Sequence, residues 1–411
     1  MKVAMFHLMP YRDLPDDFEK KHKSAWFTFP YKGNADPKKV SAYFNQTLDE
    51  LAYGAQMGFD GVCTNEHHQN AYGFMVNPNM MGSILARLTR GTKTAIIQLG
   101  ETAVFLNPPI RVAEEYAMLD HISEGRMIAG FPVGLGGDFS YSYGGAPMEH
   151  RARYREAVAL IKKAWTASEP FPWNGKYYQL PNVNIWPMPR QDPHPPMWVP
   201  GNASPSTWDY VVENDCAYCY LTYFGAKGAG TIVNGYWKKV EEAGRDRNPY
   251  RMCYLIPVGV SETDESAQRE YGRHLEYFYH KLLHVPETLF IPPGHMTHQS
   301  TKFLVTKRPF PPFDSLKDRT FADFDREEYA VVGSAATVRE RLTDIVKRLR
   351  VGNLMILPQF GSMPHEQAMQ NIERIAKGVL PALKPIWEDE GWVNHWWPKA
   401  CQDDAARSAA A

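Results

Sequence analysis

The sequence predicts a single α/β chain folded as a (β/α)8 TIM barrel, and three observations carry that expectation. Short apolar runs alternate with amphipathic helical stretches eight times, an order that argues a parallel sheet closing on itself. The glycine fingerprint that usually follows the first strand of a doubly wound sheet is missing. Gly134-Leu-Gly136-Gly137-Asp138-Phe139 fails G-x-G-x-x-G at its last glycine, and no G-x-x-x-x-G-K-[ST] loop occurs. Finally, 411 residues with 44% hydrophobic and 22% charged side chains bury a large core without staples.

The elements follow in order. Residues 3–9 are an apolar run, and a loop rich in Pro, Asp, Lys and aromatics extends to about 35. Asp36-Pro37 supplies an N-cap and a proline at the first helical position. Val40, Phe44, Leu48, Leu51 and Ala55 then share one helical face, and Gly58 ends the helix. Strand two is 59–64, strand three 94–99 and strand four 126–131, separated by helices near 78–90 and 109–122. The helix near 147–167 carries Tyr154, Val158, Ile161 and Trp165 on its inner stripe. Strand five, 197–200, leads to a helix from Pro205, and strand six, 217–222, leads to a helix near 229–243. Strand seven is 252–260, with a helix near 263–283; a helix from Ser334, strand eight at 354–358 and a helix at 364–380 complete the repeat.

Two stretches fall outside the repeat. A Pro-, Phe- and Lys-rich segment at about 285–330, inserted after strand seven, reads as a lid, a binding loop or a disordered insertion. The barrel domain is expected over 1–385 and a tail over 386–411. The tail's aromatic patch, Trp392, Trp396 and Trp397, is expected to pack on the barrel or a partner before an Ala-rich end.

Composition excludes several functions. Lys plus Arg total 45 and Asp plus Glu 46, a net charge of −1, so overall charge argues neither for nucleic acid nor for an anionic membrane. No apolar run reaches a membrane span and no secretory signal opens the chain, which reads as cytoplasmic. Cys216 and Cys219 form C-x-x-C inside a strand pattern. Residues three apart on a strand face opposite ways, so they are read as core and no metal site is expected.

Chemistry is expected at the C-terminal ends of the strands. Strand two ends in Thr64-Asn65-Glu66-His67-His68, a carboxylate and two imidazoles at the rim, either proton-exchanging groups or a polar cluster closing the barrel top. Strand five ends in Gly201-Asn202-Ala203-Ser204-Pro205. There a capping serine and a helix N-terminus face the rim, either a phosphate cradle or a plain cap. His150 and Tyr154, one turn apart on the inner stripe, can donate to an anion or merely close an apolar stripe; Arg151 and Arg153 point elsewhere but add positive field. A glycosidase needs two rim carboxylates, and Glu66 and Glu101 are the candidates.

Gly58-Phe-Asp-Gly-Val-Cys-Thr-Asn-Glu66-His67-His68 resembles the bacterial luciferase-like flavin monooxygenases. So do Leu119-Asp-His-Ile-Ser-Glu-Gly125-Arg126, Glu328-Tyr-Ala-Val-Val-Gly-Ser and Gly378-Val-Leu-Pro-Ala-Leu, in order over most of 1–385. The resemblance implies a barrel taking reduced FMN as co-substrate, O2 and a small organic substrate. Oxygen adds to the ring to give a flavin 4a-hydroperoxide that oxygenates the substrate. By the same resemblance His67 is the acid/base group with Glu66 beside the flavin, and His150 and Tyr154 contact the flavin. Asn202, Ala203 and Ser204 form the phosphate turn. Pro132 and Val133 stand where light-emitting relatives have a cysteine and an arginine, which removes one phosphate partner that Arg151 or Arg153 would replace. With no dinucleotide fingerprint, a separate flavin reductase is expected. A homodimer is expected through the helices near 80–88 and 112–119. The rival readings are a deazaflavin-dependent hydride-transfer enzyme and a non-catalytic flavin-binding barrel.

Overall fold

Eight parallel strands form the closed barrel in the computed structural model, which describes residues 1–221, 224–307, 311 and 315–402. In barrel order they are Lys2–Phe6, Gly61–Thr64, Ala95–Gln98, Met127–Gly130, Met197–Gly201, Ala217–Leu221, Met252–Ser261 and Asn353–Leu357. Val62 lies opposite Ile96 and Val199 opposite Tyr218, and closure sets Val3 against Leu354. Nearly every strand residue is buried, as a parallel sheet covered on both faces requires. The first long helix, Pro37–Gln56, starts as its sequence dictates: Asp36 accepts the Lys38 N–H at 2.9 Å and Pro37 needs no partner.

The Leu-Asp-x-x-Ser-x-Gly-Arg stretch belongs to the barrel floor. Arg126 is buried and donates to the Ala86, Thr94 and Ser123 carbonyls at 2.7–2.9 Å. It thereby ties the end of the helix Pro78–Leu88 to the entry of strand four. Its resemblance value is therefore structural rather than chemical. Cys216 and Cys219 are buried free thiols in two different core clusters, in line with opposite orientations.

Several features depart from the strict repeat. An antiparallel hairpin, Phe171–Asn174 with Gln179–Val183, precedes strand five, and its turn amides at Lys176, Tyr177 and Tyr178 donate to Glu156. Strand seven is ten residues long. Its far end pairs with an additional strand, Val331–Ser334, in register Val258 to Val331. The long helix expected after strand seven ends at Tyr277 and continues as a π-helical turn, Phe278–Leu282.

The 285–330 segment holds short helices at Glu287–Phe290, His298–Lys307 and Phe321–Arg326. The tail packs on the barrel. Trp198 donates to the Trp396 carbonyl, and Trp396 to the Asp215 carbonyl, each at 2.8 Å. The Ala-rich end from 403, the last residue expected in strand six (222), and positions 308–310 and 312–314 of the insertion lie outside the described residues.

Candidate active site

A cleft opens over the C-terminal ends of the strands, with Phe6, Asn65, Leu99, Pro132, Pro200 and Leu357 on its floor and walls. Phe290, Ile291, Met296 and Leu304 of the insertion also line it. The insertion is therefore a wall of the cleft, and the mostly apolar lining suits a flat organic ligand.

At the end of strand two the three adjacent side chains diverge. Glu66 and His68 meet on one side, with His68 Nε2 2.9 Å from Glu66 Oε1; Glu66 Oε2 accepts the Thr102 N–H at 2.8 Å. Burial pushes Glu66 up to about 8, opposed by the Thr102 amide and reinforced by Asp138. Burial also lowers His68. Both shifts favour neutral forms, so the short contact is a neutral carboxyl–imidazole hydrogen bond rather than an ion pair. Glu101 is buried nearby and raised by burial, then by Glu66.

His67 turns the other way and lines the cleft. Its ring meets Trp26 and Tyr72 edge-on, at 5.8 and 5.0 Å between centroids. Asp138 approaches it from the loop after strand four, with Oδ2 3.6 Å from Nδ1. Among the described residues no three His, Cys, Asp or Glu side chains are grouped to hold a metal.

The turn after strand five forms the opposite end of the cleft. Asn202, Ala203 and Ser204 all line it, ahead of the helix Pro205–Glu213. The Ala203 N–H bonds Asn202 Oδ1 and the Ser204 N–H bonds the Asn202 carbonyl, both at 2.9 Å, which holds the turn. Ser204 occupies the N-cap position, yet its hydroxyl caps nothing. It meets the Ser300 hydroxyl at 2.8 Å and the Ser206 hydroxyl at 3.0 Å.

Arg151 reaches into this corner, 3.2 Å from Thr207 Oγ1 and 3.4 Å from the His295 carbonyl. Among the described residues no carboxylate pairs with it. Burial pushes it down to about 10, with Arg155 adding to the effect. An unpaired guanidinium together with a helix N-terminus makes the local potential positive. Arg153, by contrast, pairs with Glu149 at 2.9 Å and lies over the Tyr177 ring.

His150 and Tyr154 lie behind this corner rather than in the cleft lining. Tyr154 donates to the Phe131 carbonyl at 2.8 Å. His150 stacks on Phe139 and its Nδ1 sits 3.2 Å from that of His295. Burial pushes His150 down to about 2, so it stays neutral. Of the two arginines the sequence offered as a replacement phosphate partner, Arg151 is the one that reaches this corner, while Arg153 is paired with Glu149. One signal was available: a cation in the first turn of a helix opposes the helix dipole and needs a reason to be there. Asp138 and the hydroxyl of Ser300 carried no sequence signal of their own.

The family model described as luciferase-like monooxygenase matches residues 23–351. The oxygenase component of a flavin-dependent trigonelline monooxygenase from Acinetobacter baylyi is 29% identical over 240 residues. That alignment covers 57% of this chain and 64% of that protein, so the chain matches just under two thirds of its length. The fold is shared with the oxygenating constituent of 3,6-diketocamphane monooxygenase from Pseudomonas putida, solved with FMN. There the TM-score is 0.68 at 17% identity, over 93% of this chain and 98% of that one. It is shared also with an F420-dependent secondary alcohol dehydrogenase, at TM-score 0.62 and 15% identity over 93% and 98%. With the family model spanning most of the barrel, the chain belongs to the luciferase-like monooxygenase family and is an enzyme of that family.

Proposed function

We propose that this enzyme is the oxygenase of a two-component flavin system. It takes reduced FMN from a separate reductase, consumes O2 and oxygenates a small, largely apolar organic substrate. The carrying observation is the uncompensated Arg151 beside the Ser204 turn, opening into the same cleft as His67. One monophosphate suits one helix N-terminus with one guanidinium. The residues present thus fit the mononucleotide: Arg151, Ser204 and Ser300 for the phosphate, the strand ends and the insertion for the ring.

When bound, the reduced flavin supplies the electrons that activate oxygen. The chain's own part is to exclude water with the insertion, hold the ring between rim and lid, and exchange a proton at His67. The neutral Glu66–His68 pair keeps net charge away from the ring's surroundings. The trigonelline relative is named an oxygenase component, which supports the separate reductase.

Calorimetry tests the reading: reduced FMN is expected to bind at least ten-fold tighter than reduced riboflavin. Tight binding of the deazaflavin F420 with no response to oxygen would favour the hydride-transfer reading instead.

A further inference from the structure

The glycine-rich stretch after strand four, which fails as a dinucleotide fingerprint, has a different task. A side chain at Gly137 would place its Cβ 2.4 Å from the Leu289 carbonyl oxygen and 2.7 Å from the Phe27 ring. Only glycine lets this loop pass so close beneath the insertion. The next residue, Asp138, opens a short π-helical turn, Asp138–Ser142, and is only 2% exposed. It lines the cleft together with His67.

Two buried polar atoms in this corner have no hydrogen-bond partner: His67 Nδ1 and Asp138 Oδ1. Leaving such atoms unsatisfied is costly, and a functional arrangement explains why the cost is kept. His67 Nδ1 and Asp138 Oδ2 face each other at 3.6 Å. Closing that gap to a normal hydrogen bond takes a shift of about 0.8 Å. The other groups around His67 are Trp26 and Tyr72, edge-on, with Glu66 and His68 engaged with each other.

We propose that Asp138 is the positioning residue for His67. It accepts the Nδ1 proton, fixes the neutral ring in the Nδ1–H tautomer and leaves Nε2 as the nitrogen with a free lone pair. Asp138 touches no reacting atom; it acts through the imidazole, stabilising the ring when Nε2 takes up a proton and holding its orientation. The inference rests on the reading of His67 as the acid/base group, but the dyad itself is testable without turnover.

The experiment is nitrogen NMR on the full-length, flavin-free protein with labelled histidine, the His67 signal being assigned by its loss in His67→Gln. The wild type is expected to show His67 as the Nδ1–H tautomer. Asp138→Asn should mix the tautomers, moving the His67 ring-nitrogen signals toward a tautomer average. His68 should move less. A wild-type His67 in the Nε2–H form would overturn the proposal, and this needs no variant to fold. So would an Asp138→Asn protein with an unchanged tautomer. Should His67→Ala leave flavin oxidation unaltered while the Nδ1–H tautomer is present, the dyad stands and the acid/base reading falls.

Discussion

Replacing Arg151 with methionine should make the flavin-free protein more stable and blind to the cofactor phosphate. The structure sets both magnitudes. Burial lowers the guanidinium from 12.5 to about 10, which at about 1.4 kcal/mol per unit bounds the cost of holding this charge at roughly 3 kcal/mol. Its two hydrogen bonds, to Thr207 and the His295 carbonyl, are long and return about 0.5–1.5 kcal/mol each. The net expectation is a gain of about 1–2 kcal/mol in urea unfolding. A charge-assisted phosphate contact contributes about 1.5–3 kcal/mol. The preference for FMN over riboflavin should therefore fall roughly 10- to 100-fold, while riboflavin affinity barely changes. Calorimetry with both ligands on both proteins isolates the effect. An unchanged FMN-to-riboflavin ratio, or a variant clearly less stable than wild type, would refute the claim that Arg151 is an unpaired anion receptor.

Three further outcomes are expected. His67→Ala should retain the fold and most flavin affinity but lose product formation by on the order of 10²–10⁴-fold, whereas His68→Ala, which breaks the bond to Glu66, should cost less turnover and more stability. Glu66→Gln should alter the pH dependence of stability. With Glu66 raised from 4.5 to about 8, the folded state holds an extra proton across that window, so its stability falls as pH rises. The variant should match wild type near pH 5 and exceed it by on the order of 2–5 kcal/mol near pH 9 in urea unfolding. Finally, Met80, Ile84, Leu88, Met118 and Ile122 are exposed apolar side chains on two neighbouring helices, the kind of surface that marks an interaction site. Met80→Lys with Met118→Lys should convert a dimer of twice 46.9 kDa into monomers by sedimentation; a wild type that sediments as a monomer counts against it.

The apolar periodicity of the chain exposed the barrel almost completely, because each strand is buried on both faces and each helix carries one inward stripe. The Asp36-Pro37 start is local chemistry and was legible for that reason. The hairpin after Thr166 was not recognised, although Asn174-Gly175 is a recognised turn pair: its strands are half-exposed and only four and five residues long. The additional strand at Val331–Ser334 escaped because its pairing with Val258–Ser261 spans more than seventy residues.

At the site, Glu66, His67 and Ser204 were visible as strand-end residues. Arg151 was offered only as one of two possible replacement phosphate partners, and Ser300 was not visible, since it reaches the rim through the fold of the insertion. The apolar excess on the second and third helices was noticed, but Val112 and Leu119 face the core. The outward face belongs to Met80, Ile84, Leu88, Met118 and Ile122.

The most direct test of the account mixes the purified protein, loaded with reduced FMN, with oxygenated buffer and follows the return of oxidised-flavin absorbance together with hydrogen peroxide release. The account predicts that reoxidation is slower than for free reduced FMN and that peroxide release is delayed with it. In His67→Ala, peroxide release should run ahead of that in the wild type. Reoxidation at the rate of free FMN, with the same peroxide yield in both proteins, would contradict it.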